Sequence, residues 1–155
     1  MPLIEECNFS KESHRKALID LMNDYMADEM GGKLPPYSQG KAAQVLRGLE
    51  SHPSKLILLV REESRYVGLA NCFVNFGTFA GKPFINIHDL VVMKAYRGRG
   101  IGRLLMEEIT RKAQELDCAK ITLEVRNDNT YAQKLYKNMG YEEGNPPMHF
   151  WTKHL

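Results

Sequence analysis

Little in this chain of 155 residues points to the specialised protein classes. It has three cysteines, Cys7, Cys72 and Cys118, an odd and widely spaced set that outlines neither a disulfide framework nor a zinc ligand group, so no metal is expected. No apolar run approaches the ~20 residues that span a bilayer, and no membrane partner is expected. Charge is nearly balanced at a formal +2, too little to suggest a nucleic-acid partner. Met1 leads straight into a strand-like Pro2-Leu3-Ile4 without a signal-peptide pattern, which makes a reducing, cytoplasmic setting the expectation. Internal repeats, low-complexity stretches and linkers are also missing. What remains, with 43% apolar and 26% charged residues, reads as a single globular domain over residues 1–155, able to bury a core without staples.

Periodicity divides the chain. Leu3 to Cys7 reads as a short strand. Asn8 and Ser10 can cap a helix whose apolar positions Leu18, Leu21, Met22, Tyr25 and Met26 recur at helical spacing. Met30-Gly31-Gly32 and Pro35-Pro36 break it, and Ser38 offers an N-cap for a second helix with Ala42, Val45, Leu46 and Leu49 on one face. Leu56 to Val60 is a buried strand, turned at Glu63-Ser64 into a partner from Tyr66 to Phe76. Phe84 to Val92 is the next strand, followed by a helix from Gly100 to about Leu116. Lys120 to Val125 is a strand, and a helix from about Asn129 to Met139 stops at Gly140. Tyr141 to Glu143 and Met148 to His154 complete the pattern as strands. The order β-α-α-β-β-β-α-β-α-β-β predicts an α/β (mixed α+β) domain, a mixed sheet of roughly six to seven strands flanked by about four helices.

One segment stands apart: Tyr96-Arg97-Gly98-Arg99-Gly100-Ile101-Gly102, between a strand pattern and an amphipathic helix pattern. A glycine-rich turn opening a helix lets bare N–H groups face an anion, and the helix dipole adds positive potential there. Arg97 and Arg99 supply fixed positive charge at the same spot. This is the chemistry of a pyrophosphate seat. A P-loop needs Lys-Ser or Lys-Thr after its last glycine, which is missing. A dinucleotide fingerprint can use Gly98 and Gly100, but Arg103 fills its third glycine position. Glu124, ~20 residues on, suits a ribose-binding acid. Against that motif, it normally lies in the first βαβ unit, and four strands precede it here.

Arg97-x-x-Gly100-x-Gly102 resembles motif A of the GNAT N-acetyltransferase superfamily, Q/R-x-x-G-x-G/A. Asn129-Thr130-Tyr131-Ala132-Gln133-Lys134-Leu135-Tyr136 is similar to that family's Asn-x-x-Ala-x-x-x-Tyr helix, and Gly140-Tyr141 to its helix-ending Gly-aromatic pair. The stretch from Val92 to Gly102 also looks like the corresponding part of diamine acetyltransferases. The predicted element order resembles the family's acyl-CoA N-acyltransferase fold over nearly the whole chain.

The resemblance implies an enzyme that uses acetyl-CoA as cosubstrate and moves its acetyl group directly to an amine in a ternary complex. The coenzyme's pyrophosphate would then lie on Arg97, Gly98, Arg99, Gly100, Ile101, Gly102 and Arg103, chiefly on main-chain amides. Its pantetheine arm would run along Leu90, Val91 and Val92, much as an added strand pairs with a sheet edge. A backbone N–H near Val92 is expected to polarise the thioester carbonyl. Asn129, a helix cap on its own pattern, matches a residue that touches the cofactor. Tyr136 matches the residue that protonates the departing thiolate, a task within reach of a phenol of pKa ~10. On periodicity alone it is a tyrosine on a helix face.

The base is not carried over. Many family members place a Glu on the strand before motif A or use a water chain, whereas here that strand reads Ile85-Asn86-Ile87-His88-Asp89-Leu90. Alternation predicts Asn86 and His88 on one face and Asp89 on the other. His88 is the candidate general base, because an imidazole titrates near neutrality. A hydrogen-bonded histidine lining the sheet is the plainer alternative. Asp89 can instead hold a neighbouring loop, and Glu124 is a further candidate base.

On the acceptor side, Asp24, Asp28 and Glu29 precede Met30-Gly31-Gly32 in the connection that, in the family, helps wall the acceptor pocket. Clustered carboxylates favour a cationic, polyamine-like acceptor, and Asp28, Glu29, Asn86 and Phe76 are candidate acceptor contacts. Solvated acids and a turn-stabilising Phe76 are the ordinary alternatives. The expected partner is a small-molecule amine. Many relatives form homodimers through their last strands, where Phe150 and Trp151 lie here, but two aromatics do not establish a dimer. Two other activities stay open: an acetyl-CoA-binding sensor without catalysis, and an acetyltransferase of protein N-termini or lysines. Nucleic-acid binding rests only on Arg97, Arg99 and Arg103.

Overall fold

The computed structural model describes every residue from Met1 to Leu155. Its elements are β1 (Leu3–Glu6), α1 (Glu12–Ala27), α2 (Gln39–Ser51), β2 (Lys55–Glu62), β3 (Arg65–Gly77), β4 (Lys82–Val92), a 3-10 turn (Lys94–Tyr96), α3 (Ile101–Glu115), β5 (Ile121–Leu123) and α4 (Thr130–Asn138). The sheet has five strands in the order β1-β2-β3-β4-β5. Its first three pairings are antiparallel and β4–β5 is parallel. The expected mixed architecture is present with fewer strands. Residues 141–143 and 148–154 form no ladder. Their alternation buries neither set of side chains, with Phe150 75% and Trp151 85% exposed, so nothing apolar stabilises a strand there.

Residues Met1–Glu124 form one compact unit and Val125–Leu155 another. In the first, alternation along the strands divides the core in two. Ile57, Leu59, Leu69 and Val91 pack against Ala17, Leu18 and Leu21 of α1 and Leu46 of α2. The alternate residues, among them Leu58, Ala70, Cys72, Ile85 and Ile87, are equally buried. They take the opposite face, where α3 crosses the sheet with Ile101, Leu105, Met106 and Ile109 turned inward. Each such fully buried aliphatic side chain contributes about 1.5–3 kcal/mol of transfer free energy. Gly68 lets α3 come this close. A Cβ there would stand 3.0 Å from Ile101 Cγ2 and 3.2 Å from Val60 Cβ, tighter than packed atoms tolerate.

The caps follow local chemistry at two helices and not at a third. Ser38 Oγ accepts from Lys41 N–H to start α2. Helix α1 begins at Lys11 without a side-chain cap. Asn8, expected there, uses its Oδ1 on the N–H of Ser10, a short-range turn that competes with capping. Its own N–H goes 2.9 Å to Nδ1 of buried His14. That nitrogen accepts, and the ring's Nε2 lies 3.3 Å from Glu5 Oε2.

In the second unit, α4 is capped at its start by Asn129 Oδ1 accepting from Ala132 N–H at 3.2 Å. It stops as read from sequence. Gly140 has φ 88, Tyr141 N–H reaches back to Tyr136 O at 3.0 Å and Gly140 N–H to Lys137 O at 3.1 Å. These are the two closing bonds of a glycine-terminated helix.

Candidate active site

The glycine-rich turn joins the end of β4 to α3. Gly98 and Gly100 have φ 78 and φ 83, and a Cβ at either would have no atom within 4 Å. Backbone conformation, not crowding, therefore calls for glycine here. Gly100 is the N-cap of α3 and offers no side-chain acceptor. The helix's own ladder opens with Leu104 N–H bonded to Gly100 O, so the N–H groups of Ile101, Gly102 and Arg103 have no intrahelical acceptor. A helix N-terminus stripped of a side-chain cap is a seat for an anion.

The three arginines of this turn differ. Arg97 is tied down: its Nε donates to Val92 O at 3.0 Å and its NH2 group to Asp28 Oδ2 at 2.5 Å. Arg99 lies over the Tyr96 ring at 4.9 Å and 3.8 Å from Glu62 Oε2. Arg103 has only Glu107, at 3.8 Å. Arg99 and Arg103 side chains are 58% and 50% exposed, leaving both able to swing toward an anion at the α3 N-terminus.

Strand β4 supplies the second half of the site. Its ladder with β5 runs only from Ile85↔Ile121 to Ile87↔Leu123. From His88 to Val92 it pairs with β3 alone, and its other edge is bare. Met93 N–H donates to Val67 O across the β3 side. Antiparallel bonding alternates residue by residue, so the N–H and C=O of Val92 point the other way, to the bare edge. The side chains fall as the β3 register directs, with Leu90 opposite Ala70 and Val91 opposite Leu69.

The register also corrects the expected arrangement of Asn86, His88 and Asp89. Asn71 pairs with Asp89 and Cys72 with Ile87, which leaves His88 as an extra residue in a β-bulge. A bulge resets the alternation beyond it. Asp89 therefore shares the Phe73–Asn86 face instead of opposing it. His88 is exposed and packs edge-on against Phe73, ring centroids 5.7 Å apart. Asn71, 3% exposed, donates from Nδ2 to Asp89 Oδ2 at 3.0 Å, while its Oδ1 is buried without a partner. Tyr37 stands near enough that its hydroxyl pKa is pushed up, first by burial and then by the Asp89 charge. Sequence reading missed Asn71. Its signal was one amide in the apolar run Leu69-Ala70-Asn71-Cys72-Phe73-Val74.

The remaining candidates sort by what already holds them. Asp28 and Glu29 line a groove of about 400 Å³ with Asp24, Val92, Lys94 and Arg97. Asp28 is fully engaged there. Arg97 beside it, with the Glu29 and Met30 N–H groups, holds its carboxyl below the usual carboxylate range against the opposing effect of burial. Asn86 ties β4 to β5 through Nδ2 and Thr122 Oγ1 at 3.1 Å. Phe76, 65% exposed, pairs with Pro83 near the hairpin end, five residues beyond Asn71 or roughly 17 Å along the strand. Burial pushes the Cys72 thiol up to about 12 and Cys7 up to about 11, so neither offers a thiolate near neutrality. In the second unit, Asn129 caps α4, and Tyr136 is half-buried on that helix with its ring 6.1 Å from that of Tyr141.

These features have counterparts in known proteins. The model described as the acetyltransferase (GNAT) family matches residues 17–141. The chain is 29% identical over 112 residues to the uncharacterized N-acetyltransferase YhfO of Bacillus subtilis, 72% of this chain and 74% of that one. It is 30% identical over 77 residues to the thialysine N-epsilon-acetyltransferase of Bos taurus, across 50% of this chain and 45% of that protein. Among solved structures, an aminoglycoside acetyltransferase from an uncultured soil metagenomic sample, in complex with sisomicin, superposes with a TM-score of 0.81. It does so at 18% identity over 99% of this chain and 97% of that one.

Proposed function

The chain belongs to the acetyltransferase (GNAT) family and is an enzyme of the acetyl-CoA-dependent N-acetyltransferase class; from that premise we propose that it acetylates a primary amine of a small, cationic acceptor by direct attack. One observation carries the reading. Uncapped amides at the α3 N-terminus adjoin a β4 edge that loses its partner strand at Ile87. A pyrophosphate fits the first and an extended amide-bearing arm fits the second. Positive φ at Gly98 and Gly100 keeps side chains out of that cradle. Acetyl-CoA, when bound, supplies the activated acetyl thioester.

The chain's own groups divide the remaining work. Arg99 and Arg103 neutralise phosphate charge beside the helix amides. The outward N–H of Val92 donates to the carbonyl oxygen on which charge develops. His88, exposed at the bulge, takes the proton that an ammonium must lose before its nitrogen has a lone pair for attack. Asp89, only partly buried, offers an acceptor for the amine's other N–H groups, a role the sequence reading assigned to Asp28 and Glu29. Tyr136, on the family resemblance, returns a proton to the departing sulfur.

The test is a thiol-release assay with acetyl-CoA against small amines, diamines and peptides. Release with cationic small amines, and loss of turnover with retained coenzyme affinity in Tyr136→Phe, is the expected result. Tight coenzyme binding with no release from any acceptor identifies a sensor, and preference for peptides identifies a protein acetyltransferase.

A further inference from the structure

Arg97 looks in the sequence like a phosphate ligand, yet its guanidinium is occupied. Nε holds Val92 O at 3.0 Å and NH2 holds Asp28 Oδ2 at 2.5 Å. The carbonyl it grips belongs to the residue whose N–H faces the bare β4 edge. The carboxylate it grips organises the turn after α1. Asp28 Oδ1 accepts from Glu29 N–H at 2.6 Å, and Asp28 O accepts from both Gly31 and Lys33 N–H groups. Gly31 lies so close to the end of α1 that a Cβ there would stand 1.8 Å from Tyr25 O, so the turn requires glycine at that position. One side chain thus joins three segments: the phosphate turn, the last residue of β4 and the α1 exit.

We propose that Asp28 and Arg97 are a positioning pair, which sets the Val92 main chain and the phosphate turn in register for the coenzyme without touching its phosphates. This rests on the acetyl-CoA reading above. Planar geometry is what the task demands, because Arg97 meets two acceptors at once from different nitrogens. A lysine keeps the charge and loses one of the two contacts. Removing Asp28 leaves Arg97 with Val92 O alone, free to swing, and removing Arg97 has the same consequence for Val92 and the turn. The two losses are therefore one loss.

Isothermal titration with acetyl-CoA, and steady-state kinetics with acetyl-CoA and with acetyl-pantetheine, test this in the full chain for Asp28→Asn, Arg97→Ala, Arg97→Lys and the double variant. Each single change is expected to weaken acetyl-CoA binding roughly tenfold, within the usual range of coupling between sites. The double variant is expected to be no worse than the poorer single one. A loss is also expected in kcat/KM with acetyl-pantetheine, which has no diphosphate and so reads the Val92 part alone, and Arg97→Lys is not expected to rescue it. Both side chains reach solvent, 25% and 40% exposed, and thermal unfolding checks that the variants remain folded. A defect in Arg97→Ala that vanishes with acetyl-pantetheine makes Arg97 a phosphate ligand and overturns the pair, as does tighter binding by Asp28→Asn. Wild-type chain that fails to bind acetyl-CoA overturns the acetyltransfer reading and this one together. Wild-type binding with additive variants overturns the pair alone.

Discussion

The two halves of β4 are the same strand put to opposite uses. From Lys82 to Ile87 it pairs with β3 and, over Ile85 to Ile87, with β5 as well, and its inward side chains Ile85 and Ile87 are 0% and 5% exposed. From His88 to Val92 it has β3 on one side only, opens with a bulge, and presents an imidazole, a carboxylate and an outward main chain. The first half satisfies its backbone groups within the sheet. The second leaves groups unsatisfied where a substrate can pair with them. Stability and chemistry should therefore separate along this strand.

The sharpest separation is expected at His88. His88→Ala should lower kcat/KM for the amine about 10²–10⁴-fold, the usual worth of a general base. Its stability should change by less than about 0.5 kcal/mol, since an exposed side chain with one ring contact is lost. Turnover that survives in His88→Ala would return the base to Glu124 or water. Ile85→Ala should behave in reverse. Truncating a side chain with no exposed surface costs about 2–5 kcal/mol, read as a lower urea midpoint. Turnover per folded molecule should stay near wild type. A large fall in kcat for Ile85→Ala would mean the halves are not independent.

A finer cut uses glycines. Gly100 and Gly81 have φ 83 and φ 65, and neither has an atom within 4 Å of an added Cβ. Alanine at either pays for left-handed backbone alone, about 1–2 kcal/mol. Gly100→Ala should also weaken acetyl-CoA binding, because it places a methyl group in the phosphate cradle. Gly81→Ala, at the β3–β4 turn, should leave binding unchanged. Equal affinities in the two variants, measured by titration, would remove the anion seat from the α3 N-terminus.

What was legible in the sequence was local. Ser38 and Asn129 announce helix starts through side chains that reach three residues ahead, and Gly140 ends α4 where a left-handed residue is needed. The glycine-rich turn ahead of α3 was readable for the same reason, as one short run of glycine and arginine. The bulge was not, because it exists only in the pairing of β3 with β4, and period-two counting through His88 placed Asp89 on the wrong face. Nor was the Asp28–Arg97 contact, which joins residues 69 apart in the chain. The last two strands were read from alternation, but alternation makes a strand only where one side is buried.

The smallest effect compares two ion pairs in acid. Glu5, on β1 at the far edge of the sheet, is held below the usual carboxylate range mainly by Arg61, 2.8 Å away. Asp28 is held down mainly by Arg97 beside the bare half of β4. In both cases the unfolded chain takes up protons at a higher pH than the folded one. Each pair's contribution is therefore complete above the ordinary carboxylate range of ~4, and is lost as pH falls through the depressed folded value. Both carboxylates are partly solvated, at 20% and 25% exposure, so each share is at most about 1 kcal/mol. Unfolding midpoints measured from pH 7 to pH 3 should show wild type losing stability below about pH 4, with a shallower slope in Glu5→Gln and in Asp28→Asn. Only Asp28→Asn should also bind acetyl-CoA less tightly at neutral pH, since only that carboxylate steadies the working half of β4. If Glu5→Gln weakens the coenzyme by the same factor, the loss travels through the sheet as a whole and the division of β4 into two independent halves is wrong.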